Sequence, residues 1–194
     1  MTKAEKTRQF IIEKSAPIFN TKGVAGTAMS DIMEATQLAK GSLYVHFENK
    51  DELVYCAVDY NLDSFYKKIW GAADKYTTAK DRIYAILDSL GDPKIPLIGG
   101  CPMLNFGMEA DDTNPVILRK VNKAAEKVQE LLAGIVRQGI AAGELRGTLN
   151  AHEFAIRTFA LVEGGIMMAR VSGNNKKLKL IVGMIKKEIR DHAR

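Results

Sequence analysis

Apolar residues recur at three- and four-residue intervals along nearly the whole chain, the mark of helices with one buried stripe. In TRQFIIEKSAPIF the stripe is Ile11, Ile12, Ser15-Ala16 and Phe19, and Pro17 predicts a kink where it removes the bond to the Glu13 carbonyl. Gly23 predicts a left-handed stop to that helix. Thr27 reads as the N-cap of a short helix over 28–36, and a second short helix is expected from Ala39 to Phe47. Asn49 with Glu52 three residues on opens a long run through Leu53, Ala57, Leu62 and Phe65 to Trp70, which reads as a connecting rod.

Further amphipathic helices follow over TTAKDRIYAILDSLGD, expected to end at Gly91-Asp92-Pro93, and then from Asn114-Pro115 to about Ala142. Two more run from about Asn150 to Val171 and along the stripe Leu178, Ile181, Val182, Ile185 and Ile189. PKIPLIGGCPML alone resists a helical reading until Pro102, where proline suits a first turn. Strand alternation is absent. The expected fold is all-α, about nine helices, with an N-terminal three-helix unit at 1–49 and a helical bundle at 50–194.

Met29, Ile32, Ala35, Leu38, Leu43 and Phe47 are spaced to hold the two short helices together against the first, an arrangement of helix-turn-helix type. With those positions inward, Lys40, Gly41, Ser42, Tyr44, Val45 and His46 are left to face out. That set suits a DNA groove. Glycine permits close approach, lysine adds charge, and the hydroxyl and imidazole groups donate to phosphate or base edges. Lys50, a cation at a helix start where cations are disfavoured, makes sense beside a phosphate.

Charge sharpens this picture only at the ends. The net charge of +5 comes from residues 1–50, with seven Lys/Arg against five Asp/Glu, and residues 174–194, with seven against two. The middle is slightly acidic, at fourteen against sixteen, so a uniformly basic nucleic-acid coat is excluded. The two cysteines, Cys56 and Cys101, stand far apart, which points to a reducing compartment. No apolar run reaches the length of a membrane span and the N-terminus has no signal-peptide core. The expected location is the cytoplasm, without membrane partners.

Catalytic and metal readings find little support: phosphate-binding glycine loops, G-x-S-x-G, H-E-x-x-H and Cys/His clusters are all missing. No enzyme activity and no cofactor or metal are expected. The run EADD at 109–112 reads as a helix end and loop. His46 has no histidine or cysteine partner nearby in sequence, and the face it would need for a core role is taken by Leu43 and Phe47.

TAMSDIMEATQLAKGSLYVHFENKDEL resembles the DNA-binding domain of the TetR family of bacterial repressors. The resemblance covers about the first 50 residues: the Thr cap, the Asp-Ile pair, and Lys-Gly-Ser-Leu-Tyr-x-His-Phe-x-x-Lys at the family's spacing. It implies an all-α homodimer that binds a palindromic DNA operator and is released by a small molecule held in the C-terminal bundle. It assigns DNA contacts to Thr27, Lys40, Gly41, Tyr44, His46 and Lys50, with Ser42 added for base or phosphate. Three positions depart from the family pattern: Gln37 replaces a turn glycine, Ala39 a capping Ser or Thr, and Val45 a second aromatic.

Candidates for the small-molecule site are Tyr66, Trp70, Cys101, Met103, Phe106 and Met167, an aromatic and methionine-rich set whose plainer reading is core. IGGCPMLNFGMEADD resembles a segment of cysteine-sensing members of the family. Cys101 precedes a helix start, whose amides favour a thiolate, while burial as a small hydrophobe is the competing reading. The helices near 150–171 and 176–191, with Gly164-Gly165 allowing close approach, are the expected dimer elements. The alternative function is a DNA-binding regulator that activates, or one that answers to a protein partner.

Overall fold

The helical stripes close on two cores in the computed structural model, which describes residues 1–91 and 98–194. Among the described residues nine helices form: α1 (Lys3–Lys22), α2 (Met29–Thr36), α3 (Lys40–Tyr44), α4 (Lys50–Ala73), α5 (Ala79–Gly91), α6 (Pro102–Ala110), α7 (Pro115–Ala141), α8 (Ala151–Ser172) and α9 (Lys176–His192). They carry no strand, only an isolated bridge between Leu145 and Ala193. The stop expected at Gly91-Asp92-Pro93 and the PKIPL stretch lie largely outside the described residues. The helices gather into two compact units, Met1–Phe65 with Leu97–Ala124, and Tyr66–Pro96 with Ala125–Arg194. The rod α4 therefore contributes to both.

In the first unit, Ile11, Ile12, Ala16 and Phe19 of α1 are buried with Ile32, Leu43, Phe47, Leu53 and Val54. α1 runs through Pro17 without ending. Its start is a reciprocal cap: Thr2 Oγ1 accepts from the Glu5 amide and the Glu5 carboxylate accepts from the Thr2 amide. Its end is Gly23, at φ 78 and ψ 168, a positive φ with extended ψ rather than the left-handed helical stop expected. Arg8 ties α1 to the rod, donating to Glu52 Oε1 at 2.7 Å and Cys56 Sγ at 3.3 Å, with its guanidinium 4.6 Å from the centre of the Phe47 ring.

Two local expectations are corrected. Ala28, not Thr27, caps α2: the Asp31 carboxylate accepts from the Ala28 amide at 2.9 Å, while the Thr27 hydroxyl turns back to donate to the Gly23 carbonyl at 2.6 Å. The helix expected from Ala39 to Phe47 is helical only over Lys40–Tyr44. Ala39 supplies no side-chain cap, and beyond Tyr44 the Val45, His46 and Phe47 amides are satisfied by turn bonds to Gly41 and Leu43. The turn before it uses Gln37 in the left-handed region, φ 58 and ψ 27, among the described residues the one non-glycine with positive φ. Its side-chain amide donates to the Glu34 carbonyl at 2.6 Å, which offsets part of the cost of that conformation.

The α1–α2 turn is also gripped from far along the chain. Glu109 of α6 accepts from the backbone amides of Val24 and Ala25, both at 2.8 Å, and Lys50 Nζ donates to the Val24 carbonyl at 2.9 Å. One helix turn earlier, the Asn105 amide bonds Asn20 and Gly99, while Asn20 donates to the carbonyls of Ile98 and Gly100. Gly99, at φ 84, passes so close to the Asn20 carbonyl that a Cβ there would sit 2.5 Å from its oxygen. Only glycine satisfies both demands.

In the second unit, α7 buries Val128, Leu131, Leu132, Ile135 and Val136 on one face, and α8 buries Phe154, Ala155, Val162 and Ile166. Gly165 brings α8 close to α9 within the chain: a Cβ there would lie 2.8 Å from Leu178 Cδ1. The last residue of α9 and the chain just after it are stitched to the α7–α8 turn by Arg146 N donating to His192 O and Arg194 N donating to Glu144 O.

The grip on the α1–α2 turn can be tested by substitution. Glu109→Gln turns an NH2 group toward a backbone N–H, so it should destabilise by about 1–2 kcal/mol, the cost of charge-assisted bonds replaced by a mismatch. A thermal melt indistinguishable from the parent would show that the grip contributes nothing.

Acid should loosen the same unit. Asp31 is held below the usual carboxylate range by the Lys22 ammonium and then the Ala28 amide, and Glu52 by the Glu48 amide and then Arg8. Both carboxylates favour the folded state when ionised. Their stabilisation is therefore present at neutral pH and is lost as pH falls through their lowered folded values, below about pH 4. Combining Asp31→Asn with Glu52→Gln should flatten the acid limb of the melting temperature plotted against pH. An acid limb as steep as the parent's would show that other groups set it.

Candidate nucleic-acid interface and effector cleft

Leu43 and Phe47 are the anchors that orient α3, and their burial turns the other side of the helix outward. Lys40, Gly41, Ser42, Tyr44 and Val45 are exposed and His46 is half-buried. Val45 is 79% exposed and Tyr44 41%, a high exposure for two large apolar bodies beside so well-buried a core. Lys40 Nζ lies 6.0 Å from the centre of the Tyr44 ring, so cation and phenol share one patch. Above Gly41 nothing stands within 4 Å of where a Cβ would be, leaving the helix surface open to close approach.

Thr27 and Lys50 sit differently. Thr27 is 1% exposed with its hydroxyl committed to Gly23, and Lys50 is half-buried with one N–H committed to Val24. Both act on the α1–α2 turn. The structure thus leaves Lys40, Gly41, Ser42 and Tyr44 exposed on α3 with His46 half-buried just after it, and commits Thr27 and Lys50 to the α1–α2 turn. Glu109 belongs to the same constellation and went unread in the sequence, because a carboxylate that binds backbone amides 85 residues away leaves no local signature.

The effector candidates divide between the units. Cys101, Met103 and Phe106 are buried in the first, where the Cys101 carbonyl accepts the first α6 bond from Asn105. With 0% of its surface exposed, the Cys101 side chain meets an electrophile only when the α6 segment opens. Met167 faces solvent on α8. Tyr66 and Trp70 come together in the second unit, stacked at 6.4 Å between ring centres with planes 17° apart. They line a cleft of about 270 Å³ with Arg82 of α5 and Lys127, Leu131 and Ile135 of α7. Arg82 and Lys127 were not anticipated from the sequence. Their only signal is the i, i+4 and i+7 spacing of Lys127, Leu131 and Gly134, which is also that of an ordinary amphipathic helix.

No described helix is long and apolar enough to cross a membrane, and no cluster of three metal-ligating side chains occurs among the described residues.

Residues 11–55 match the family model for bacterial regulatory proteins of the tetR family, and residues 79–185 match that of the tetracyclin repressor-like C-terminal domain. Among solved structures, a TetR-family transcriptional regulator from Cytophaga hutchinsonii is 34% identical with a TM-score of 0.93, the alignment covering 100% of this chain and 98% of that one. A TetR regulator from Chloroflexus aurantiacus is likewise 34% identical, with a TM-score of 0.92 over 100% of this chain and 99% of that one. The HTH-type transcriptional repressor DhaR of Mycobacterium sp. (strain GP1) is 23% identical over 88% of this chain and 86% of its own length. With both halves matched and full-length likeness to solved members, this chain belongs to the TetR family of transcriptional regulators.

Proposed function

We propose that this regulator is a repressor that binds a palindromic operator as a homodimer and leaves it when a small molecule occupies the bundle. The observation that carries the DNA reading is the exposed set Lys40, Gly41, Ser42 and Tyr44, held outward because Leu43 and Phe47 are buried. Lys40 supplies charge to the phosphates, Ser42, Tyr44 and His46 donate hydrogen bonds, and Gly41 lets the backbone close on the groove. Thr27 and Lys50 contribute by fixing the turn from which α2 starts, and the remaining N–H groups of Lys50 stay available to a phosphate. In this reading residues 1–49 serve DNA binding, and 50–194 serve ligand binding and dimerisation. The regulator acts where its DNA is, in the cytoplasm.

Self-association is supported by an exposed apolar face on the last two helices. Ile156, Met167 and Val171 fall on one side of α8, and Leu180 and Met184 on one side of α9, all exposed. A two-fold pairing of α8 and α9 with their copies buries both stripes, and the half-sites of a palindromic operator call for two recognition helices about 34–36 Å apart, one turn of DNA. An effector that favours another separation lowers operator affinity by linkage.

Lys40→Ala and Tyr44→Ala should each lower affinity for an operator selected from random DNA by about tenfold or more, the loss of one good contact, while leaving the melting temperature nearly unchanged. Binding undiminished in both variants would remove α3 from the interface. Leu180→Asp with Met184→Asp should shift the protein from dimer to monomer in sedimentation and weaken operator binding steeply. A dimer that survives both charges would place the interface elsewhere.

A further inference from the structure

We propose that the cleft between α4, α5 and α7 takes a small planar aromatic acid, a ligand class that follows from its lining; the proposal rests on reading the chain as an effector-responsive regulator. The floor is apolar, built from the buried Leu131 and Ile135. One wall is aromatic: Trp70 stacks on Tyr66 and is still 42% exposed, so part of the indole surface remains for another ring. With Tyr66 covered by Trp70 and by the Lys127 ammonium, the open aromatic surface is the indole, and a flat surface selects a flat ligand.

The charges of the lining select the sign. Lys127 Nζ rests 3.8 Å from the centre of the Tyr66 ring, and Arg82 Nη1 donates to the neutral Gln138 amide oxygen at 2.8 Å. Neither cation is in an ion pair among the described residues. The lining carboxylate, Glu130, is already taken by Arg137. The cleft therefore presents two positive groups answered by a ring face and an amide, next to a negative group whose charge is met elsewhere. An anion gains from both cations, and an amine is repelled by them.

Size completes the selection. About 270 Å³ lies just under the usual range for drug-sized ligands, room for one or two fused rings. One carboxylate, shared between a guanidinium fork and an ammonium, matches what is present.

Trp70 is the only tryptophan in the chain, so its indole N–H gives a single side-chain resonance that reports this cleft. The test titrates the full-length, 15N-labelled protein with 1-naphthoate and with the neutral 1-naphthamide. The expected result is a saturable shift of the Trp70 indole peak by naphthoate, with the amide about tenfold weaker or more, the loss expected when a charge-assisted contact becomes a neutral one. Lys127→Gln and Arg82→Gln should each reduce that discrimination several-fold while leaving the amide's own affinity unchanged. Equal binding of acid and amide, or an indole peak that naphthoate does not move, overturns the proposal. Fluorescence anisotropy of operator DNA on the same samples separates the two layers. Protein that binds operator with an unmoved indole peak sinks the cleft alone. Protein that binds naphthoate at Trp70 but no selected DNA upholds the cleft and sinks the regulator reading.

Discussion

A carboxylate accepting two successive backbone amides is what the DNA-facing part of this molecule depends on. Glu109 holds Val24 and Ala25 by their N–H groups, and those residues form the turn from which α2 departs. Within the turn the Thr27 hydroxyl bonds the Gly23 carbonyl, while the Val24 and Ala25 amides are met from outside it. Its conformation is set by what satisfies its amides, and bonds to an ionised acceptor are about twice as strong as bonds to a neutral one. The Lys50 ammonium takes the neighbouring carbonyl, so donor and acceptor groups of one short segment are held by opposite charges from α6 and α4. With the turn fixed, Ile32, Leu43 and Phe47 reach the α1 core in a single register, and the exposed residues of α3 are oriented as a consequence.

The rod α4 has a different role in the two units. At its start Glu52 accepts from Arg8 and from the Glu48 amide, which binds the rod to α1 and to its own entry loop. Toward its end Tyr66 and Trp70 form the wall of the cleft. A single helix thus carries both the tether of the α1–α2 turn and the aromatic pair.

Much of this was legible in the sequence because helical periodicity is a local property. The helices α1, α4, α5, α7, α8 and α9 appear where the periodicity puts them, although Trp70 at the end of the α4 run is exposed and Ile181 and Val182 of α9 are only half-buried, and the outward set on α3 follows from assigning Leu43 and Phe47 inward. The failures share a cause. Thr27 has the composition of a cap, yet its hydroxyl is drawn back to Gly23, a choice made by the turn and not by the residue. Lys50 reads as a phosphate ligand, and the bond of its ammonium to the Val24 carbonyl, 26 residues earlier, is a further role that its spacing does not announce. Glu109 sits in EADD, which reads as a solvated helix end, because its partners are amides that any residue would supply. The effector candidates show the same limit: Tyr66 and Trp70 meet because they are one helical turn apart, whereas the charges opposite come from α5 and α7, whose approach no local pattern announces.

The stitching of residues 192–194 to the α7–α8 turn has a kinetic meaning. The Arg146–His192 and Arg194–Glu144 backbone bonds, with the Leu145–Ala193 bridge, close a loop around α8 and α9 without a covalent link. Those bonds oppose fraying of α9 from its last residue, which must break them before the helix end can open, so the amides there should exchange more slowly than at a free helix end. Held in this way, α9 keeps its exposed apolar residues with those of α8, so that whatever binds one helix of the pair encounters both.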